Sequence, residues 1–125
     1  MNTIIAIAAG GAAGALGRYG MQALALRLFG AGFPYGTLIV NVAGSFLMGL
    51  LAHWFLVRGV SAEVRSLVLV GCLGALTTFS TFSLDAAALY QRGELGAAAA
   101  YVILSVMLSI GALFAGLALS RSIVG

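Results

Sequence analysis

The sequence has no lysine, one proline, one cysteine and one histidine, and residues of either charge make up only 7% of its 125 positions. Each scarcity excludes something. A water-soluble domain is charged at about one residue in four, so a soluble fold is ruled out. A single cysteine, Cys72, allows neither an intrachain disulfide nor a cysteine metal cluster, and it leaves the redox compartment open. Packing is its expected role. The lone His53 stands beside Trp54 near the end of an apolar stretch, the pattern of an interfacial belt, and no second histidine or nearby acid completes a metal or nucleophile set. Enzymatic catalysis therefore has no support. The net charge of +3 comes from arginines scattered singly, which argues against a nucleic-acid partner.

What is abundant is apolar chain: 62% of the residues are hydrophobic. Four stretches, about 3–29, 35–57, 66–90 and 95–119, each reach the ~20 residues a helix needs to cross ~30 Å of hydrocarbon. The expected fold class is an all-α membrane protein, a single four-helix transmembrane domain over 1–125. No basic residue precedes the first stretch and three more spans follow, so it reads as a retained helix rather than a secretory signal. The breaks at Gly30–Pro34, Arg58–Glu63 and Gln91–Glu94 are short and bounded by glycine, proline or charge. Sequential helices are then antiparallel neighbours, with both termini on one side.

Orientation in a membrane follows the excess of Lys and Arg in cytoplasmic loops. Here Arg58, Arg65 and Arg121 on one side face Arg27 and Arg92 on the other, with Arg18 added to the latter if its half of helix one is counted. Either the small residual bias suffices and all copies point one way, or the chain inserts both ways. Two opposed copies would form an antiparallel dimer whose two-fold axis lies in the membrane plane. Four helices are few for enclosing a permeation path, which favours an oligomer. Gly10, Gly14 and Gly17 on one face of helix one, and Ala112 with Gly116 in helix four, point the same way through small-xxx-small spacing.

The chemistry is concentrated in helix three, where Thr77-Thr78-Phe79-Ser80-Thr81-Phe82-Ser83 sets five hydroxyls and two phenylalanines near mid-span. Each hydroxyl can bond the carbonyl one turn back in its own helix. Five of them on all sides, next to Gly71 and Gly74, instead favour a locally broken helix whose freed backbone groups face protein, ion or water. Asn41 on helix two shares a face with Gly44, Ser45 and Met48; its carboxamide must face inward, either to fasten two helices or to line a path. Tyr101, Ser105 and Ser109 make a polar stripe on helix four. Such a lining is neutral, can conduct, and contains no acid to relay protons. Arg18, near the middle of helix one, is either functional by virtue of its depth or snorkels to an interface. Asp85 lies about two turns from the end of helix three, where it reaches a watery mouth.

Asn41, the run Gly74-Ala75-Leu76-Thr77-Thr78-Phe79-Ser80-Thr81-Phe82-Ser83 and Gly17-Arg18-Tyr19 together resemble the Fluc (CrcB) family of fluoride channels over essentially the whole chain. The resemblance implies an antiparallel, dual-topology homodimer with two pores in the bacterial inner membrane, giving passive fluoride efflux that lowers cytoplasmic fluoride and its toxicity. It implies a structural sodium ion at the dimer axis, held by backbone carbonyls of Gly74 and Thr77. It makes Phe79 and Phe82 pore residues with ring edges toward the anion, Asn41 a hydrogen-bond donor, Tyr101, Ser105 and Ser109 a polar track, and Arg18 a source of positive potential. The implied partners are the fluoride ion, a second copy of the chain and lipid. Two other readings compete. A proton-coupled exporter resembling the small multidrug resistance proteins needs a carboxylate in helix one, which has none. A non-transporting accessory subunit is at odds with the dense polar content of helix three.

Overall fold

A computed structural model describes residues 2–125. The chain is all-helical and contains four helical stretches long and apolar enough to cross a membrane. Helix is the expected choice in hydrocarbon, because it satisfies every backbone N–H and C=O within the segment. Helix α1 spans Thr3–Phe29 and is started by Asn2, whose side chain accepts from the Ile4 N–H at 2.7 Å. It stops at Gly30, where φ is 77°. Helix α2 spans Tyr35–Arg58, enters behind Pro34 and ends on a left-handed Gly59.

The third span, Ala62–Gln91, is assembled from pieces. A short α3 (Ala62–Arg65) runs into a π-helical stretch (Ser66–Leu73) and then one turn, α4 (Gly74–Leu76). Thr77 and Thr78 are extended, with ψ of 153° and 122°, and α5 (Phe79–Gln91) resumes beyond them. The helix is thus broken mid-span, as the cluster of hydroxyls suggested. The last span is one long helix, α6 (Leu95–Val124).

Two close pairings hold the bundle together, and both rest on glycine. Helix α1 lies against the π-helical stretch so tightly that a Cβ on Gly10 would strike the Leu67 carbonyl and one on Gly14 the Cys72 carbonyl. From the other side, a Cβ on Gly71 would fall 2.7 Å from the Ile7 carbonyl oxygen. Helix α2 meets α6 in the same way, Gly49 against the Leu113 carbonyl and Gly116 against the Phe46 carbonyl. This corrects the expectation that Gly10, Gly14 and Gly116 point to an oligomer: their small size is used within the chain. In lipid the gain is dispersion between approaching backbones, and a glycine row serves whichever helix is nearest. Gly17 does less, since a Cβ there would only touch the Leu76 side chain at 3.7 Å.

The buried apolar residues are few. Phe82, Leu89 and Tyr101 form a cluster backed by Phe33, whose ring meets Tyr101 edge-on at 5.5 Å. Most other large apolar side chains, among them Leu16, Val70, Ile103 and Phe114, point outward. That inversion of the soluble pattern follows from a hydrocarbon solvent, which exerts no hydrophobic pressure to hide them.

Candidate functional site

An unbroken third helix would pair Thr78 N–H with Gly74 C=O, Phe79 N–H with Ala75 C=O, and Thr81 N–H with Thr77 C=O. Other groups take these roles. The Asn41 carboxamide reaches across from α2 and grips Thr78 at both backbone atoms: Thr78 N–H donates to Oδ1 at 2.8 Å, and Nδ2 donates to the Thr78 carbonyl at 3.0 Å. The Thr78 hydroxyl caps α5 by accepting from Thr81 N–H at 3.1 Å. From α1, Arg18 donates through Nε to the Ala75 carbonyl at 3.1 Å and through Nη1 to the Thr81 hydroxyl at 3.3 Å, so one guanidinium bridges the two sides of the break.

These substitutions have a consequence for the carbonyls. Because Asn41 takes Thr78 N–H and the Thr78 hydroxyl takes Thr81 N–H, the carbonyl oxygens of Gly74 and Thr77 lose their helical donors. No other hydrogen bond to either oxygen is found among the described residues. The side chains differ from one another in what they do. Thr77 and Ser83 bond back within the chain, to the Leu73 and Phe79 carbonyls at 2.9 Å, which is ordinary behaviour for a hydroxyl in an apolar helix. Thr78 and Thr81 take part in holding the break.

Two open cavities flank this broken span. The first, of about 600 Å³, is lined by one face of α2 (Asn41, Gly44, Ser45, Met48), by Gly74, Thr77 and Thr78 at the break, by Phe79 and Phe82, and by Ser105 and Ser109 of α6. It contains no charged side chain. Phe79 is 78% exposed, its ring tilted against Phe82 with centroids 5.4 Å apart. Ser105 is only 5% exposed, and its hydroxyl oxygen is buried with no hydrogen-bond partner among the described residues. Buried hydroxyls are nearly always bonded, so this one marks a place for a polar ligand or water.

A family model described as "CrcB-like protein, Camphor Resistance (CrcB)" matches residues 5–117. The chain belongs to the CrcB family. It is 48% identical over 124 residues, 98% of this chain and 99% of the relative, to a protein of Agrobacterium fabrum named "Fluoride-specific ion channel FluC". Relatives with the same name are 52% identical over 116 residues in Shewanella amazonensis (93% of this chain, 94% of the relative) and 49% identical over 122 residues in Rhodopseudomonas palustris (97% and 98%). The family is one of ion channels and not of enzymes, and this member is a multi-pass membrane protein.

The second cavity of the CrcB chain, about 740 Å³, lies on the α1 side of the break and is charged. Arg18, Gln22, Thr37, Thr81, Asp85 and Arg92 line it. Arg92 is engaged by Glu94 at 2.6 Å and by the Gly32 carbonyl at 3.0 Å. Asp85 accepts on one oxygen, Oδ2, from the Thr37 hydroxyl at 2.7 Å and from the Tyr101 hydroxyl at 3.0 Å. Thr37 in turn accepts from Gln22 Nε2 at 3.2 Å.

The sequence-predicted residues are therefore divided. Asn41, Gly74, Thr77, Phe79, Phe82, Ser105 and Ser109 gather at the neutral cavity. Arg18 faces the charged one. Tyr101, fully buried, connects the two: its ring packs on Phe82 at 5.3 Å while its hydroxyl reaches Asp85. His53 ties helices rather than sitting free, its Nδ1 lying 2.8 Å from the hydroxyl of buried Ser120 on α6. Gln22 and Thr37 escaped the sequence reading. Gln22 had a signal, being four residues after Arg18 and hence on the same helical face; a lone threonine beside Gly36 had none.

Proposed function

We propose that the chain is a fluoride-selective channel through which the anion moves passively, assembled from two antiparallel copies. The observation that carries this is the neutral cavity with the partnerless Ser105 hydroxyl in it, in a chain close to half identical to proteins named fluoride-specific ion channels. A lining of hydroxyls, a carboxamide and aromatic edges can replace part of an anion's hydration without binding it too tightly to leave. Phe79 and Phe82 supply the positive ring edges, Ser105, Ser109 and Tyr101 the hydroxyls, and the second Nδ2 proton of Asn41 a further donor. Arg18 adds positive potential next to the break.

A second copy has good reasons to sit over the neutral cavity. Phe79 and Gly74 are exposed there in one protomer, and a Cβ on Gly74 would meet nothing of its own chain closer than Leu69 O at 3.6 Å, so packing within the protomer does not require the glycine. A near-zero arginine bias suits insertion in both orientations. Opposed copies would bring the two breaks together, and the carbonyls of Gly74 and Thr77, deprived of their helical donors, fit a sodium ion: they are neutral, hard oxygen ligands suited to an alkali cation. Sodium would close the break and add positive charge near the anion path. In the bacterial inner membrane such a pore needs no energy source. Fluoride that enters an acidified cell as the neutral acid dissociates inside, and the negative interior drives the anion out.

Flux from liposomes holding only this protein tests the reading. Wild type should release fluoride and retain chloride, and Phe79→Ala or Phe82→Ala should abolish release from folded protein. Equal chloride flux would sink the assignment. Replacing sodium on both sides by a bulky organic cation should lower flux, with Thr77 side-chain changes mattering less. In a Cys72→Ser background, a cysteine in the Gly30–Pro34 loop should label from both sides of the membrane; labelling from one side only would exclude dual topology.

A further inference from the structure

Gln22, Thr37, Asp85 and Tyr101 form a single chain of hydrogen bonds that draws one residue from each of the four spans. Nothing in the neutral cavity calls for it. The chain stands between the two cavities: Phe82 lines the neutral one, Tyr101 packs on Phe82, and Asp85 lines the charged one. Tyr101 lies one helical turn along α6 from Ser105. Its phenolic O–H is already given to a carboxylate.

We infer that Asp85 makes this end of the path selective, by competing with the permeating anion for the Tyr101 hydroxyl. The inference rests on the fluoride reading above. A hydrogen bond to a carboxylate is charge-assisted and about twice as strong as a neutral one. To pass, an anion must turn the O–H toward itself, with no proton changing owner, and must approach a negative group while doing so. Attraction between an ion and a donor grows as their separation shrinks. Fluoride, the smallest halide, approaches closest and accepts hydrogen bonds most strongly, so it can win the hydroxyl. Chloride, larger and a weak acceptor, cannot. Discrimination then comes from an element set against the wrong anion rather than from a tight site for the right one, which would slow exit.

Thr37 and Gln22 are positioning residues in this scheme. Thr37 is 1% exposed, and its hydroxyl, oriented by Gln22, holds Oδ2 toward Tyr101. The charged groups that share the cavity do not draw the carboxylate away. Arg18 is committed to Ala75 and Thr81, Arg92 to Glu94 and Gly32, and Asp85 makes no ion pair with either among the described residues.

The test compares wild type, Asp85→Asn, Tyr101→Phe, the double variant, Thr37→Val and Thr37→Ser as purified proteins in liposomes, with fluoride flux, chloride flux and melting temperature measured for each. Asp85→Asn should raise chloride flux relative to fluoride by about tenfold, the size of one strong hydrogen bond. Tyr101→Phe should slow fluoride, and adding Asp85→Asn to it should bring little further chloride leak, since the two act on one bond. Thr37→Val should shift selectivity the same way as Asp85→Asn but less, and Thr37→Ser should restore wild-type behaviour. A folded Asp85→Asn variant that excludes chloride as wild type does would overturn the inference. So would independent, additive effects in the double variant, or a set of variants that lose melting temperature and fluoride flux together with unchanged selectivity, which would make the chain a helix clasp. Wild type that carries no fluoride would bring down the channel reading itself.

Discussion

The two cavities beside the broken span differ in how far their polar groups are already engaged. In the charged cavity Arg18, Arg92 and Asp85 all have partners in the protein. In the neutral cavity a buried serine hydroxyl has none among the described residues, and the Gly74 and Thr77 carbonyls have lost their helical donors. Charge deep in a bilayer is costly unless compensated, so the charged groups that remain are tied down and shape the backbone. A neutral group costs less than a charge to leave without a protein partner, and such a group stays open to a ligand or water. Both sides build the break, Asn41 from the neutral cavity and Arg18 from the charged one, and the polar groups left without a partner among the described residues lie in the neutral cavity.

The sharpest way to break that division is at Asn41, which lines the neutral cavity and holds the break. Asn41→Leu should leave the half-buried Thr78 N–H and C=O without their Asn41 partners, a loss of up to about 2–6 kcal/mol at roughly 1–3 kcal/mol for each group. Expected outcomes are a collapse in the yield of monodisperse protein and no detectable flux; a well-folded, conducting leucine variant would mean that the break holds itself. Next in size is Arg18→Lys, which keeps the charge but cannot span Ala75 and Thr81 with one rigid fork. Fluoride flux should fall about tenfold, whereas near-normal flux would show that Arg18 acts through its potential alone.

Ser105→Ala probes the opposite side. With no hydrogen bond to lose among the described residues, its stability in chemical denaturation should stay within about 0.5 kcal/mol of wild type, while fluoride flux drops several-fold. A large stability loss would reveal a partner for the hydroxyl. The smallest effect is expected at His53→Ala, far from both cavities in function: the lost bond to Ser120 should cost about 0.6–1 kcal/mol of stability and leave flux unchanged.

Much of this was legible in the residues. Hydropathy runs of the right length gave four spans, and five hydroxyls clustered next to Gly71 and Gly74 pointed to a helix broken near Gly74; the structure puts the extended residues at Thr77 and Thr78. The shared face of Asn41, Gly44, Ser45 and Met48 follows from helical periodicity alone, and the four residues do line one cavity. Partners were another matter. Arg18 bonds a carbonyl 57 residues away and Asn41 a backbone unit 37 residues away, distances at which the sequence offers only residue types. The glycine rows show the same limit, since small-xxx-small spacing states that a backbone approaches closely but not whose.

By itself, then, the sequence determined the number of spans, the weak spot in the third and the absence of any acid in the first, because each follows from local composition set against a hydrocarbon solvent. Only the tertiary structure decided that Gly10 and Gly14 are filled by the chain's own third span, that Asn41 and Arg18 replace the missing helical bonds, and that the Tyr101 hydroxyl donates a hydrogen bond to Asp85. A polar group in lipid must find a partner, and which partner it finds depends on how rigid helices, set side by side by close backbone packing, bring distant residues to the same depth.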